Sequence, residues 1–238
     1  MMAVLGRALL VAAGLLAAAG AWADASKPVV VELFTSQGCS SCPPADRILG
    51  HLADRDDVIA LGFHVNYWDR LGWPDPFATK AGTDRQYAYS PVLGRRNVYT
   101  PQMVIDGRYD VVGFHAERIK VAIAQAEAMS ESRLEVRLEW RGPGRLGYAL
   151  PAGDGAARVH LVRFARKLDQ DIERGENAGR HLSYSNVVRE IVQVAEWHGA
   201  AMESEIEVDT EQDTAGGVAL LVQDSRTMRM LGAAKLAF

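Results

Sequence analysis

The sharpest chemical feature of the chain is a pair of thiols, Cys39 and Cys42, which are its only cysteines. Two serines separate them, so both sulfurs fall within bonding reach across a single turn. A thiol between a strand end and a helix start faces free backbone N–H groups and the positive end of the helix dipole, which favours the reactive thiolate. The spacing therefore indicates thiol–disulfide chemistry, with Cys39 as the exposed attacking thiol and Cys42 resolving the mixed disulfide from behind.

Two other interpretations of this Cys-x-x-Cys pair stay open. The first is a structural disulfide between Cys39 and Cys42, and the second is one half of a metal site. His64 is the residue that would complete a Cu(I) or zinc site with both sulfurs. Since no second histidine or third cysteine stands at ligand spacing, we expect no bound metal, and we expect no cofactor.

The residues around the two thiols predict a βαβ unit. A β-rich apolar run at 29–34 precedes them, and apolar residues at 45, 48, 49 and 52 follow at the spacing of one helical face. A second apolar strand is predicted at 58–65. A strand, a helix and a strand in this order favour a parallel pair that carries the thiols at one end.

A second group of signals begins at Thr100-Pro101. Residues 102–105 predict a strand, Asp106-Gly107 is a strong hairpin turn signal, and residues 108–113 supply the return strand. A helix with one apolar face is then predicted over about 115–129. The segment 66–99 is aromatic and rich in turn residues, so we treat it as an insertion with a short helix at 81–89.

After residue 130 the pattern changes to short strands with Gly- and Asp-rich turns. Seven candidate strands and little helical pattern predict an all-β, antiparallel, sandwich-like domain. The expected organisation is a signal peptide at 1–23, an α/β domain at 24–131 with its insertion at 66–99, and the β domain at 132–238. The Gly-rich segment 175–179 predicts a turn between strands, and we assign it no chemistry. The candidate strands are 134–140, 146–150, 159–164, 187–197, 204–208, 218–222 and 228–236.

The Cys-x-x-Cys turn after a strand and the Thr100-Pro101 step before a hairpin together resemble the thioredoxin superfamily. The resemblance covers residues 28–130 and implies a thioredoxin-like α/β fold. In that family a cis-proline lies against the active-site sulfurs, and the residue before it pairs with the substrate backbone. These roles are implied here for Pro101 and Thr100. The chain departs from thioredoxins at Gly38, where they carry tryptophan, and between the cysteines, where serines replace Gly-Pro.

A more specific resemblance is carried by four longer motifs. It is to a bacterial secreted family that is catalogued as a domain of unknown function with a thioredoxin-like N-terminal part. The likeness extends over nearly the whole mature chain and brings no established substrate. The motifs are residues 32–46, 64–69, 99–107 and 174–177.

Two ionisable residues, Glu32 and His64, are candidates for proton transfer or for tuning the thiolate. Glu32 lies in the strand that leads to the cysteines, where thioredoxins keep a buried acid that takes protons from the resolving thiol. His64 ends the second strand and would stabilise a Cys39 thiolate. The alternative for each is a structural role, since strand alternation can turn Glu32 outward and the segment 67–69 can hydrogen-bond His64.

The N-terminus has the pattern of a signal peptide. Arg7 is followed by an apolar run at 8–19 and then by Ala21-Trp22-Ala23, which has small residues where a signal peptidase cuts. The run is shorter than the ~20 residues of a transmembrane helix, so we expect cleavage after Ala23 in preference to a retained anchor. The mature protein is then exported, periplasmic or secreted, without membrane insertion, and its thiols meet an oxidising environment.

Composition narrows the function further. The chain has 238 residues, and 26 Lys+Arg against 30 Asp+Glu give a net charge of −4. There is no broad basic field for nucleic-acid binding, so we expect no nucleic-acid partner. We expect an exported thiol–disulfide oxidoreductase that acts on protein or small-molecule thiols and disulfides, or with a redox partner protein. The alternative is a non-catalytic binding or assembly module that uses the thioredoxin fold as a scaffold, with a structural Cys39–Cys42 disulfide.

Overall fold

The first strand, β1 (Val29–Thr35), is buried along its whole length, as a strand covered on both faces requires. The structure, a computed structural model, describes residues 27–210 and 216–238. The signal peptide expected at 1–23 lies outside these residues. β1 pairs in parallel with β2 (Val58–His64), and helix α1 (Pro43–Ala53) connects the two strands. The predicted βαβ unit is therefore confirmed.

The segment 66–99 contains a 3-10 helix, Asn66–Leu71, and the helix α2 (Lys80–Val92). α2 extends beyond the predicted 81–89 at both ends because the Thr79 hydroxyl caps it, accepting the N–H of Gly82 at 2.9 Å. The chain continues through β3 (Gln102–Ile105), β4 (Tyr109–Val112) and α3 (Ala116–Glu127). The β3–β4 hairpin turns at Asp106 and Gly107, which both have positive φ, as a type I′ turn requires.

Helices cover both faces of this first part of the sheet. α1 and α3 pack on one face against alternate side chains of β1, including Val31 and Leu33. α2 packs on the opposite face through Tyr89, against Phe34 and Phe63. The alternation along β1 therefore decides whether a side chain points to the cysteine side or to the α2 side.

All seven strands predicted after residue 130 are present. A second 3-10 turn, Ser130–Ser132, leads into them. Several strands run longer than predicted, because the apolar pattern marks only their buried stretches. Their bounds are β5 (Arg137–Gly142), β6 (Arg145–Leu150), β7 (Ala157–Asp171), β8 (His181–Trp197), β9 (Met202–Glu207), β10 (Gly216–Asp224) and β11 (Met230–Ala237).

The expectation of a self-contained β-sandwich needs a correction. Four of the seven strands extend the first sheet, giving one eight-stranded mixed sheet in the order β11-β10-β7-β8-β2-β1-β3-β4. The junction is a parallel pairing of Gly62 on β2 with Val187 on β8. Gly62 permits this approach, since a Cβ there would lie 3.3 Å from the carbonyl oxygen of Ser185. Only β5, β6 and β9 form a separate antiparallel sheet.

The small sheet packs against the outer part of the large sheet, so a two-layer core does exist there. Side chains of β5 and β6, such as Leu138 and Tyr148, meet Leu161, Trp197 and Leu220 of the large sheet. The structure is thus a mixed α/β protein with one large mixed sheet and one antiparallel sheet. None of the helices in the described residues is long and apolar enough to cross a membrane.

Candidate active site

The two thiols lie in the turn that joins β1 to α1. Backbone hydrogen bonds close this turn: the N–H of Cys39 donates to the carbonyl of Ser36 at 3.1 Å, and the N–H of Cys42 donates to the carbonyl of Cys39 at 3.2 Å. Cys42 is the N-cap residue of α1, and Pro43 occupies the first helical position, where no N–H is needed. The pair therefore stands between a strand end and a helix start, as its sequence context predicts.

Both cysteines are free thiols and both are buried, Cys39 with 1% and Cys42 with 0% of its surface exposed. The expectation of an exposed Cys39 is therefore wrong: its thiol contacts Cys42, Ser41 and Thr100, and its carbonyl accepts an N–H of Asn177 from the β7–β8 loop. The hydrogen bond from Cys42 lowers the pKa of Cys39 to about 6, and the hydroxyls of Ser41 and Thr100 act in the same direction. Burial raises the pKa of Cys42 well above its usual range, and its hydrogen bond to Cys39 raises it further. Near neutral pH, Cys39 is the thiolate and Cys42 the thiol.

Thr100 and Pro101 lie at the cysteine turn, and the peptide bond between them is cis. The Thr100 hydroxyl contacts Cys39 and accepts the indole N–H of Trp68 at 2.8 Å. The carbonyl of Pro101 accepts the N–H of Gly113 at 2.9 Å. A Cβ at Gly113 would lie 3.1 Å from the Cβ of Pro101, so glycine lets the segment after β4 pack close to the proline.

A carboxyl that the sequence reasoning missed, Asp46, lies one helical turn after Cys42. It is buried, and it accepts the hydroxyl of Thr35 at 2.8 Å. Burial raises the pKa of Asp46 to about 7, although the charge of His64 and the Thr35 hydrogen bond partly oppose this. A carboxyl with such a pKa beside a buried thiol is suited to take its proton. The signal that would have found it is the four-residue spacing from Cys42, which puts both side chains on one helical face.

His64 lies behind Asp46 in a buried polar pair. Its Nδ1 is 2.7 Å from a carboxylate oxygen of Asp75. Burial opposes the charge of Asp75, but the charge and hydrogen bond of His64, with the N–H of Gln37, hold the pKa of Asp75 below its usual range. The charge of His64 also lowers the pKa of Asp46. Among the residues described, no three His, Cys, Asp or Glu side chains are grouped to hold a metal ion.

Glu32 is buried but faces away from the thiols. Its neighbour Leu33 points toward α1, so strand alternation turns Glu32 to the opposite face of the sheet. There its carboxylate accepts the guanidinium N–H of Arg85 and the hydroxyl of Tyr89, both on α2. The expectation that Glu32 takes a proton from Cys42 is therefore corrected, because the sheet separates the two groups.

A groove leads from the surface to Asp46. It lies between α1 and the β7–β8 pair and has a volume of about 610 Å³. Arg47 and His51 of α1 line one side, and Lys167 and Ser185 line the other. Asp46 is among the residues that line this groove.

Part of the site comes from the loop between β7 and β8. The side-chain amide of Asn177 donates to the carbonyls of Gln37, at 2.9 Å, and Cys39, at 3.0 Å. The carboxylate of Glu176 accepts the N–H of Ser40 at 3.0 Å. The Gly-rich turn to which we assigned no chemistry is therefore in contact with the thiols' own backbone. Its presence among the four longer motifs was the available signal.

The fold and the buried Cys-x-x-Cys pair define a mixed α/β protein with a dithiol at the end of a central strand. The chain belongs to the family described as protein of unknown function (DUF1223), whose model matches residues 30–223. The expected resemblance to a domain of unknown function is thereby confirmed.

Two solved structures are similar to this chain. Protein AGR_C_4864 from Agrobacterium tumefaciens is 34% identical with a TM-score of 0.79, over 90% of this chain and 96% of that one. HBP35 of Porphyromonas gingivalis is 16% identical with a TM-score of 0.63, over 90% of this chain and 76% of that one, a likeness that shows the fold alone. No curated protein matches the chain.

Proposed function

We propose that this protein is an exported thiol–disulfide oxidoreductase with a thioredoxin-like fold in its N-terminal half. The observation that carries the proposal is the asymmetry of the two thiols: Cys39 accepts a hydrogen bond from Cys42, which lowers the pKa of Cys39 to about 6. A thiolate is the form that attacks a disulfide. The order strand, Cys-x-x-Cys, helix, strand and the cis bond at Thr100–Pro101 support the thioredoxin-like fold.

In the reducing direction, the Cys39 thiolate attacks one sulfur of a substrate disulfide. A bond forms between the Sγ of Cys39 and that sulfur while the substrate S–S bond breaks. The released substrate thiolate takes a proton from solvent. An extended substrate segment pairs with the backbone at Thr100, beside Pro101.

Cys42 must lose its proton before it resolves this mixed disulfide. The Asp46 carboxylate accepts that proton, since a pKa of about 7 leaves its acid and base forms both populated near neutral pH. The Cys42 thiolate then attacks the Sγ of Cys39, and the second substrate thiolate leaves. The substrate disulfide has gained two electrons, and the Cys39–Cys42 pair has lost two. An external dithiol must reduce the pair before the next cycle.

Export is part of the proposal and rests on the pattern of residues 1–23. The apolar run and the small residues before the expected cleavage site support delivery to the periplasm or the exterior. In that oxidising setting, protein disulfides are available as substrates, and a redox partner protein would keep the pair in use.

The proposal is tested by dithiothreitol-driven reduction of insulin, with the chain lacking its expected signal peptide. Cys39→Ser is expected to abolish the reaction while the circular dichroism spectrum stays native. Cys42→Ser is expected to accumulate a mixed disulfide at Cys39 that mass spectrometry detects. Full activity in Cys39→Ser would contradict the proposal that the protein is a thiol–disulfide oxidoreductase.

The burial of both sulfurs favours a second candidate, a non-catalytic binding module with a structural disulfide. With 1% and 0% of their surfaces exposed, Cys39 and Cys42 are shielded as structural cysteines are. The reduction potential in glutathione buffers separates the two candidates. A potential near or above about −200 mV marks a pair poised for exchange, whereas one below about −300 mV with an unreactive pair marks a structural disulfide.

A further inference from the structure

The loop between β7 and β8, residues 172–180, is a formed element, called the strap from here on. Its backbone closes on itself: the N–H of Ile172 donates to the carbonyl of Arg180 at 2.9 Å, and the N–H of Gly179 donates to the carbonyl of Ile172 at 2.7 Å. Glu176 is exposed, but Asn177 is only 1% exposed. The strap therefore directs one buried side chain at the cysteine turn.

The strap holds a single peptide group, the one between Cys39 and Ser40, at both of its ends. The carbonyl oxygen of that group accepts an N–H of Asn177 at 3.0 Å, and its N–H donates to Glu176 at 3.0 Å. The other N–H of Asn177 goes to Gln37, and the Asn177 oxygen accepts from Arg180 at 2.8 Å. Both N–H donors and the oxygen acceptor of the Asn177 amide are therefore used in hydrogen bonds that hold the strap closed.

In this arrangement the thiol of Cys39 is almost fully buried. Cys39 is 1% exposed, and attack on a disulfide requires an incoming sulfur to reach its Sγ. The strap is exposed apart from Ile172 and Asn177, and Gly175 and Gly179 adopt positive φ on either side of Asn177. Opening returns the released carbonyls to water, so no polar group is left unpaired.

We propose that the strap gates the dithiol, with Asn177 as the positioning residue that holds the closed form. In the closed form the strap fixes the Cys39–Ser40 peptide group and shields the thiol. Exchange proceeds from an open form in which Asn177 has left Gln37 and Cys39. This inference rests on the proposed function and adds a way to regulate it, because a loop in the C-terminal half of the chain determines when Cys39 is accessible.

The test is the alkylation of the reduced, signal-free chain by iodoacetamide, followed from about pH 5 to about pH 9. Asn177→Asp keeps the size of the side chain but replaces its amide donors by a carboxylate, which the two carbonyls repel. We expect the plateau rate at Cys39 to rise about tenfold, the factor implied by losing two hydrogen bonds. Glu173→Gln, an exposed position on the same strap, is the matched control and is expected to leave the rate unchanged.

The number of alkylated thiols separates gating from loss of the fold. An open strap exposes Cys39 alone, so the variant is expected to take up one label, whereas unfolding exposes Cys42 and gives two. Equal plateau rates in the wild type and Asn177→Asp, or uptake of two labels by the folded variant, would overturn the gate. If Asn177→Asp does not fold, Glu176→Ala is used: a rate about two- to fivefold higher supports the gate, and an unchanged rate rejects it.

Failure of the gate and failure of the proposed function give different results, because alkylation requires no disulfide exchange. If Asn177→Asp is alkylated faster but the protein does not reduce insulin, the proposed oxidoreductase function is rejected. The strap is then the cover of a buried thiol. If the protein reduces insulin but the wild type and Asn177→Asp are alkylated at equal rates, the gate is rejected and the proposed oxidoreductase function stands.

Discussion

Asp46 lies one helical turn beyond Cys42, and its backbone N–H donates to the carbonyl of Cys42 at 3.1 Å. The carboxyl and the dithiol influence each other's ionisation. The charge of Asp46 raises the pKa of Cys42, and a thiolate at Cys39 raises the pKa of Asp46. All three groups are buried. A proton taken from Cys42 therefore has a nearby acceptor.

Asp46→Asn is expected to remove much of the pH dependence of stability. Burial raises the pKa of Asp46 from 3.8 to about 7 on folding, so between these values the folded state binds more protons than the unfolded chain. Stability then falls as the pH rises through this window, by roughly 4 kcal/mol at most. Urea unfolding at about pH 5 and about pH 8 measures the difference. A variant that keeps the wild-type slope would contradict the buried, protonated carboxyl.

The same substitution is expected to slow resolution of the mixed disulfide. Without a carboxylate to accept the Cys42 proton, release of the second substrate thiol should fall by about 10²-fold near neutral pH. Attack by Cys39 should change little. Stopped-flow measurement of the first and second thiol release separates the two steps. Asp54→Asn, an exposed position at the end of the same helix, is the control and should resemble the wild type in both.

Cys42→Ala is expected to raise the pKa of Cys39. The hydrogen bond from the Cys42 thiol is the largest cause that holds the pKa of Cys39 at about 6, so its loss moves the value toward the ordinary ~8.5. The pH midpoint of iodoacetamide alkylation reports this shift. Ser41→Ala removes a weaker hydrogen bond, made across 3.3 Å, and should move the midpoint less. Identical midpoints in Cys42→Ala and the wild type would mean that another group sets the pKa of Cys39.

Local periodicity was sufficient to locate the strands, but it did not reveal how they pair. All seven strands after residue 130 were found because alternation of buried and exposed side chains is present in the sequence itself. The union of the two halves into one sheet depends on the pairing of Gly62 with Val187. A glycine inside an apolar strand indicates a close approach of backbone but does not identify the partner. The separate sandwich was therefore a reasonable expectation with the wrong pairing.

The candidate site likewise contains some residues that local sequence patterns locate and others that they do not. Cys39, Cys42 and Thr100-Pro101 were found because their spacing and context are local. Asp46 was missed because it lies on the helical face where periodicity leads one to expect apolar residues. Asn177 was missed because its contact with Cys39 is made by a loop from the far end of the chain. Local periodicity does not reveal a long-range polar contact of this kind, and the motif at 174–177 was the available signal.

Glu32→Gln is expected to destabilise the fold without affecting the thiols. The substitution removes the charge that compensates buried Arg85, and breaking such a pair costs about 3–5 kcal/mol. The pH midpoint of Cys39 alkylation should stay at its wild-type value, because Glu32 faces α2 across the sheet from the cysteine turn. Urea unfolding measures the first effect, and alkylation from about pH 5 to about pH 9 measures the second.

Two results would distinguish a structural Glu32 from a proton acceptor. If the carboxyl only compensates Arg85, then replacing both partners by apolar residues, Glu32→Leu with Arg85→Met, should recover much of the lost stability, since no unpaired charge remains. The double variant should also resolve mixed disulfides at the wild-type rate. If Glu32→Gln resolved mixed disulfides slowly while Asp46→Asn resolved them at the wild-type rate, then Glu32 and not Asp46 would be the proton acceptor.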